Sequence, residues 1–302
     1  MKKQMPDAGQ PNVVKYIEYT PVGVRSQNLS RHAIGCVLSG TKFIHSGDSR
    51  RMLVKGDIFY LGLGLHYIEE LPDTDRPFEQ IVFYYSPEEL QEILLHLNIT
   101  YRLNITNKHS CSECRNSSEI VMSSWPALRS IFVAAAGYLH DEEVSRDSAA
   151  DRFKMTELVY HIVSHSDCCL KSKVLRSIDS ETESFERTIH DNIFSQCSIE
   201  ELARMTHRSL TSFKKEFRRI YDMPPHKWFI AQRLLHAKLL LLSTAKSISE
   251  VGILCSFPNT SHFIKLFKKC YGTTPVSFRE SNRESVVNHT LLEQGVEKRE
   301  VV

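Results

Sequence analysis

An internal repeat near the C-terminal end constrains this chain more than any other feature. Two stretches share one pattern: a Ser-x-x-Glu box, a turn, and then aromatic residues at positions i and i+4. The boxes begin at Ser198 and Ser247, and the aromatic pairs are Phe213/Phe217 and Phe263/Phe267. A Ser-x-x-Glu box caps a helix N-terminus, so each copy is predicted to be two short helices joined by a turn. The offset is 49 residues for the boxes and 50 for the aromatic residues, so the second turn is predicted to be one residue longer.

The second helix of each copy has aromatic side chains on one face and small polar or basic groups on the other. This arrangement is typical of a helix-turn-helix, in which the second helix contacts DNA. For a single copy, a plain helical hairpin with solvated Lys and Arg is an equal alternative. Two copies within one basic segment favour a pair of helix-turn-helix units.

The charge of the chain is unevenly distributed. Residues 186–280 hold 15 Lys and Arg against 8 Asp and Glu, a net charge of +7, whereas the whole chain is +2 and the remainder is therefore −5. A compact basic segment in an otherwise acidic chain indicates a polyanionic partner. A basic face is often only a solvated surface, so charge alone does not decide the function.

Between the two copies, residues 225–243 contain no interior Gly or Pro and are predicted to form one helix. Pro225 suits the first helical turn. Nineteen residues at a rise of about 1.5 Å span about 29 Å, close to the ~34 Å of one DNA turn. This helix is therefore expected to set the two units into adjacent major-groove windows on one face of the duplex.

The span from about Phe185 to Arg279, about a third of the chain, resembles the AraC/XylS-type transcription regulators. The matching elements are Ser198-Ile-Glu-Glu-Leu-Ala203, Ser209-x-x-x-Phe213-Lys-x-x-Phe217, Pro225-His-Lys-Trp228, Arg233-Leu-x-x-Ala237-Lys-x-Leu-Leu241, and Ser261-x-Phe263-x-x-x-Phe267-Lys-Lys-x-x-Gly272-x-Thr274-Pro275-x-x-x-Arg279. Two residues depart from the pattern, because the family usually has Ala and Gly where this chain has Gly252 and Ser256. If the second turn needs a positive φ at Ser256, that residue is expected to be strained.

The resemblance implies a set of DNA contacts. The base-contacting positions of the family correspond to Thr211, Lys214, Lys215, Thr260, Ser261, Ile264 and Lys265. Cations further along the second helices, or in the turn before them, are expected to contact phosphates: Arg208, Arg218, Lys268 and Lys269. Promoter DNA and RNA polymerase are the expected partners. The family leans towards activators, but activator and repressor both stay open, as does whether the second unit engages DNA fully.

The resemblance also implies an N-terminal sensing or dimerising domain, often a cupin-like barrel followed by helices. Residues 16–85 fit this expectation, because short apolar stretches alternate with Gly and Asp turns, as in a sandwich or small barrel. The effector of such a domain is either a small molecule or a protein. The predicted fold class is therefore α+β, a cupin-like β-barrel with helices and then an all-α domain of two helix-turn-helix units joined by a long helix.

Three helices are predicted after the strands, over residues 87–97, from Pro126, and over 149–165, and the last two are amphipathic. Their apolar stripes are Leu128/Ile131/Phe132/Ala135/Leu139 and Met155/Leu158/Val159/Ile162. At least one of these stripes is a candidate interface between the subunits of a homodimer. The alternative is that the stripes pack onto the barrel of their own chain. The predicted division is a regulatory and dimerisation domain (1–165), a linker (166–184), the DNA-binding domain (185–282) and a flexible tail (283–302).

An enzyme of the cupin type, or a small-molecule-binding protein with an incidental helical domain, is the competing hypothesis. A metal-dependent cupin needs clustered His ligands, but His32, His45 and His66 are scattered, and no nucleotide-binding, serine-hydrolase or zinc-protease motif is present. Cys111 and Cys114, with His109 nearby, could hold zinc or form a redox dithiol. A surface loop with incidental thiols is the preferred interpretation, also for Cys168 and Cys169. The chain is thus expected to have no catalytic residues, no cofactor and no bound metal.

The first residues lack the apolar core of a signal peptide, and no stretch is long and apolar enough for a membrane span. The sequence therefore predicts a cytoplasmic protein without a membrane partner. In that compartment the eight cysteines are expected to be thiols.

Overall fold

The computed structural model describes residues 12–46, 49–109, 111, 117–140, 148–178, 180–282 and 299–301. Its strands are β1 (Val13–Glu18), β2 (Val22–Leu29), β3 (His32–Ser39), β4 (Thr41–Ser46), β5 (Ser49–Leu53), β6 (Asp57–Leu61), β7 (Gly64–Leu71), β8 (Phe78–Tyr85), β9 (Glu119–Ser123) and β10 (Arg299–Val301). Its helices are α1 (Pro87–Tyr101), α2 (Pro126–His140), α3 (Ser148–Ser164), α4 (Cys169–Arg176), α5 (Ser180–Asp191), α6 (Ile199–Met205), α7 (Leu210–Tyr221), α8 (Pro225–Ser243), α9 (Ile248–Leu254), α10 (Thr260–Tyr271) and α11 (Pro275–Ser281).

The strands form two antiparallel sheets, one of six strands in the order β10-β1-β8-β3-β6-β9 and one of four in the order β2-β7-β4-β5. Side chains of β8 alternate between two hydrophobic clusters: Val82 and Tyr84 pack between the sheets, whereas Ile81 and Phe83 pack against the helices. The six-stranded sheet is therefore buried on both faces, which explains why β8 ends in an unbroken apolar run from Ile81 to Tyr85. The α+β fold class, with antiparallel strands first and the helical part last, is confirmed.

The apolar stripes on α2 and α3 face the interior of the chain. Leu128 and Phe132 are fully buried, as are Leu158 and Val159, and all pack in the cluster under the six-stranded sheet. The expectation that one of these stripes is an interface between subunits is wrong, because the sheet and the neighbouring helices of the same chain already cover both.

The segment 166–184 is more regular than an interdomain linker was expected to be, since α4 and the start of α5 lie within it. Leu170 and Val174 of α4 are buried in the cluster under the six-stranded sheet. A helix of eight residues shows too few periodic positions to be recognised in the sequence.

Part of the predicted flexible tail also has regular structure. Arg299–Val301 form β10, which pairs with β1 in antiparallel register. Residues 283–298 and 302 lie outside the described part of the chain. The domain bounds as such stay a prediction.

The strands and the C-terminal helices meet along β7. Tyr67 packs with Leu235 and Leu239 of α8. At Gly64 the backbone has φ +102, and a Cβ atom there would overlap the His190 imidazole of α5. Glycine is needed at position 64 both for this close approach and for its backbone conformation.

Candidate nucleic-acid interface

Both capping boxes form as predicted and begin the first helix of each unit. Ser198 N–H donates to Glu201 Oε2 at 2.7 Å, and Glu201 N–H donates to Ser198 Oγ at 3.2 Å. The same two distances separate the corresponding atoms of Ser247 and Glu250. The bond from the Ser198 backbone lowers the pKa of Glu201, and the bond from the Ser247 hydroxyl lowers the pKa of Glu250. Both carboxylates thus stay charged at a helix N-terminus, where negative charge is favoured.

The turns differ by one residue, as the offsets predict: residues 206–209 separate α6 from α7, and residues 255–259 separate α9 from α10. Each turn has one residue in the left-handed region, His207 with φ 53 and Ser256 with φ 58. The expected positive φ at Ser256 is confirmed. The Ser256 hydroxyl donates to the Phe194 carbonyl, a contact that Gly would lack.

Each unit has its own hydrophobic core. In the first, Phe213 and Phe217 of α7 pack with Trp228 and Phe229 of α8 and with Phe185 of α5. In the second, the core consists of Leu234, Ala237, Leu241, Val251, Cys255, Phe257, Phe263 and Phe267. The predicted bounds of α8, 225–243, are confirmed. The first half of this helix packs in the core of the first unit, and the second half packs in the core of the second unit.

Arg233, near the middle of α8, connects the two units. Its guanidinium donates to the carbonyl oxygens of Ile193 and Ser195, both at 2.6 Å, and to that of Ser256 at 3.2 Å. The segment before the first unit and the turn of the second unit are therefore bound to the same side chain. These charge-assisted bonds fix the orientation of one unit relative to the other.

The predicted contact residues lie mostly on the outer faces of α7 and α10, opposite the buried aromatic pairs. The exposed ones are Thr211, Lys214, Lys215, Arg218, Ser261, Lys265, Lys268 and Lys269. An exposed second helix with short polar groups near its start and cations further along has the chemistry of a major-groove contact.

Three predicted residues have partners within the chain. Thr260 is half-buried, with its hydroxyl 3.1 Å from Ser249 Oγ, and Ile264 packs against the second core. Arg208 donates to the Thr206 carbonyl at 2.8 Å, and its guanidinium lies 5.0 Å from the Phe185 ring centroid. Among the phosphate-contacting candidates, Arg208 thus differs in that its guanidinium already has contacts within the protein.

The 50-residue offset identifies one further pair that was not selected from the sequence. Ser212 and His262 are equivalent positions, and both are exposed on the second helices beside Thr211 and Ser261. The same offset pairs Lys214 with Ile264, so one position is a cation in the first unit and an apolar side chain in the second.

The histidines considered for a metal enzyme do not converge. His32 lies 3.0 Å from Tyr60 Oη, His45 lies 3.3 Å from Glu69, and His66 lies 2.8 Å from the Gly62 carbonyl. Cys111 instead lies close to Cys169 and His109, a grouping that neither cysteine motif predicted. Cys114 is outside the described residues.

Two helix-turn-helix units built on one shared helix define a DNA-binding protein of the double helix-turn-helix class. Residues 202–281 match a family model described as a helix-turn-helix domain. This match, together with relatives that are transcriptional regulators, confirms the resemblance of the C-terminal segment to the AraC-type regulators.

Three known proteins illustrate the similarity. The chain is 25% identical over 205 residues to the probable transcriptional regulator LumQ of Photobacterium leiognathi, covering 63% of this chain and 83% of LumQ. It is 26% identical over 133 residues to the virulence regulon transcriptional activator VirF of Yersinia enterocolitica, covering 44% of this chain and 49% of VirF. The solved structure of ToxT from Vibrio cholerae has a TM-score of 0.46 and 11% identity, covering 89% of this chain and 97% of ToxT.

This chain thus spans about half the length of VirF. No helix within the described ranges combines the length and apolar character that crossing a bilayer requires.

Proposed function

We propose that this protein is a sequence-specific transcription activator, gated by an effector at its N-terminal domain and without enzymatic activity of its own. The observation that carries the proposal is the pair of exposed, basic second helices, α7 and α10, joined by the single helix α8. RNA polymerase is the proposed protein partner at the promoter.

The two second helices have different proposed tasks along their length. Lys215 and Lys265 are exposed on the outer faces, where a long cation can reach O6 and N7 of guanine. Thr211, Ser261 and Thr260 are short donors or acceptors beside them. Lys214 is a further base contact, and Ile264 would pack on a thymine methyl group through the part of its side chain left accessible. Arg218, Lys268 and Lys269, with Arg208 behind them, would bind phosphates and so orient the protein without specifying sequence.

Mapping of bound sites across the genome, followed by a salt titration with the full chain, tests this function. A specific site should be found, and log K should fall steeply with log salt because phosphate neutralisation releases counterions. Neighbouring genes would point to the effector. Binding with a flat salt dependence, or without preference for any mapped site, would overturn the proposal.

Gating is supported by contacts between the N-terminal strands and the DNA-binding domain. At Gly64, β7 closely approaches the His190 imidazole of α5. The strand β7, from the four-stranded sheet, also packs on α8 through Tyr67. An effector that shifts β7 would therefore alter the support of the DNA-binding helices.

A homodimer stays part of the proposal, with a different surface from the buried stripes. Outward side chains on α1, α2 and α3 are exposed, namely Ile99 (68%), Val133 (58%) and Phe153 (75%). Sedimentation of the full chain tests this, with Phe153→Glu expected to shift the protein towards monomer. A monomeric wild type at micromolar concentration would remove the dimer from the proposal.

A further inference from the structure

A small cluster of soft ligands lies in the N-terminal domain, away from the DNA-contacting helices. His109 and Cys111 belong to the irregular segment after α1, and Cys169 is the first residue of α4. Cys169 Sγ is 3.3 Å from His109 Nε2 and 3.8 Å from Cys111 Sγ. All three ligand atoms lie within 4.8 Å of one another, and all three residues are half-buried.

The backbone holds this cluster from both sides. Lys108 N–H donates to Asp167 Oδ2 at 2.9 Å, and the His109 carbonyl accepts from Ser172 Oγ at 3.5 Å. Leu103 and Ile105 of the same irregular segment pack against the cluster of buried residues that contains Leu170 of α4. The positions of the three ligands are thus set by the fold and not by the cluster alone.

The distances fit a metal site and not a disulfide that is already formed. A disulfide needs its sulfur atoms about 2.05 Å apart, far less than the 3.8 Å between Cys111 and Cys169. Zinc–sulfur bonds of about 2.3 Å at a tetrahedral angle place two sulfur atoms about 3.8 Å apart, and a zinc-bound imidazole nitrogen about 3.5 Å from each sulfur. The Cys111–Cys169 and Cys169–His109 separations are therefore close to two edges of a zinc tetrahedron, and the ligand atoms of the third pair lie within 4.8 Å of each other.

We propose that His109, Cys111 and Cys169 form a binding site for Zn²⁺, with a fourth position left for water or another ligand. Two thiolates and one imidazole are the donor set that zinc takes in proteins. Cys169 also lies at the N-terminus of α4, where the helix dipole favours an anionic ligand. An ion here would join the segment after α1 to the helix that leads into α5 and the DNA-binding units.

Titration of the reduced, chelator-treated full chain with Co²⁺ as a spectroscopic probe tests the site. One equivalent should produce a thiolate-to-cobalt charge-transfer band and the visible bands of a tetrahedral ion, and Zn²⁺ should displace it. Cys111→Ser and Cys169→Ser should each weaken Co²⁺ binding by at least about 100-fold, more than the loss of a merely orienting neighbour. His109→Gln should weaken binding while keeping a charge-transfer band.

Cys168→Ser is the matched control, because Cys168 is adjacent to Cys169 but lies outside the cluster, and it should keep full binding. Cys114 is retained in every variant. Thermal unfolding without metal should be the same for all variants, so that a loss of binding is not a loss of fold. Zn²⁺ should raise the Tm of the wild type and of Cys168→Ser by the same amount, that of His109→Gln by less, and that of Cys111→Ser and Cys169→Ser least.

Binding that survives in both Cys111→Ser and Cys169→Ser would overturn the proposal. So would the absence of a charge-transfer band in the wild type. A Cys111–Cys169 disulfide that forms readily in air, in a protein that binds no Co²⁺ when reduced, would assign the cluster to redox chemistry and equally overturn it.

Discussion

The first helix-turn-helix unit packs against α5, which precedes it and reaches the β-sheet domain, whereas the second packs against α11, which follows it. Their second helices nevertheless carry the same net charge, four cations and one acid in α7 and three cations in α10. The aromatic residues differ more. Phe217 lies close to five other aromatic rings, and Phe267 to three.

The same helix-turn-helix backbone can therefore be stabilised by packing against different neighbouring helices. Phosphate binding is expected to be similar for the two units, because their helix charges are equal. Stability and sequence preference are expected to differ, because the cores differ and because Lys214 corresponds to the half-buried Ile264.

The largest expected difference concerns the cores. Phe217→Ala and Phe267→Ala should each destabilise by about 3–5 kcal/mol, with Phe217→Ala at the upper end because more rings surround it. Urea unfolding of the full chain measures this, and Trp228, whose ring lies 5.7 Å from that of Phe217, reports on the first core. Met205→Ala, at a half-exposed side chain, is the control. An equal or larger loss for Phe267→Ala would contradict the comparison.

Insertion of five base pairs between the two major-groove windows that the units contact would place these windows on opposite faces of the duplex. Because α8 and Arg233 hold the units in one orientation, only one unit could then contact its base pairs. The specific binding free energy should therefore weaken by on the order of 2–5 kcal/mol. Binding titrations on DNA with five and with ten inserted base pairs measure the loss. Unchanged affinity with the five-base-pair insertion would mean that only one unit engages DNA. The second unit would then be the weaker candidate, because it has the half-buried Ile264 where the first unit has the exposed Lys214.

Acid should destabilise the first unit more than the second. Burial lowers the pKa of His190 to about 3, and burial lowers the pKa of His236 to about 4. A buried neutral histidine contributes its full stability above the unfolded pKa of about 6.5, and the stability falls by about 1.4 kcal/mol per pH unit below it. Each histidine should thus cost about 2 kcal/mol at pH 5.

Urea unfolding between pH 7 and pH 5 in a Trp125→Phe background, followed by the fluorescence of the remaining Trp228, measures this slope. His190→Gln should make it shallower, whereas His262→Gln, at an exposed histidine of the second unit, should leave it unchanged. The same slope in wild type and His190→Gln would show that the imidazole does not titrate as inferred.

Single lysines separate contacts to bases from contacts to phosphates. Lys265→Ala should cost about 1–3 kcal/mol on the mapped site only and relax the preference at one or two base pairs. Lys268→Ala should weaken binding to mapped and random DNA alike and reduce the salt slope by about one. Lys215→Ala is the first-unit counterpart of Lys265→Ala. Equal losses on both DNAs for Lys265→Ala would reassign this side chain to the phosphates.

The smallest expected difference between the two units is the effect of a glycine substitution in the turn on the free energy of unfolding. His207→Gly should stabilise by about 0.5–1 kcal/mol, because His207 is exposed and its positive φ suits glycine. Ser256→Gly should be near neutral, since relief of the same strain is offset by loss of the hydrogen bond to Phe194. Denaturant unfolding of the two variants side by side measures the contrast, and a clear gain for Ser256→Gly would refute it.

The starts of the helices in the two units could be predicted almost to the residue, because local chemistry marks where each one begins. Ser198 and Ser247 begin helices with capping boxes, and Pro225 begins α8 at its first position. The repeat also gave the relative lengths of the two turns. These signals act over three or four residues and do not depend on the rest of the fold.

Other features depend on contacts between distant residues. The Leu158 stripe indicates an amphipathic helix but not what covers it, and here the covering surface is the chain's own core. Cys111 and Cys169 are 58 residues apart, so no spacing rule could bring them together. Helix α4 is too short for its period to stand out, and Arg208 has the charge of a phosphate contact although its guanidinium lies over Phe185.

Helix α8 belongs to three hydrophobic clusters, those of the two units and the one around Tyr67. Any effector that changes DNA affinity through this helix must, by thermodynamic linkage, have its own affinity changed by DNA by the same factor. Copies on a promoter and copies free in solution would then respond at different effector concentrations. The threshold of the response would depend on how many binding sites are occupied, and not on the effector alone.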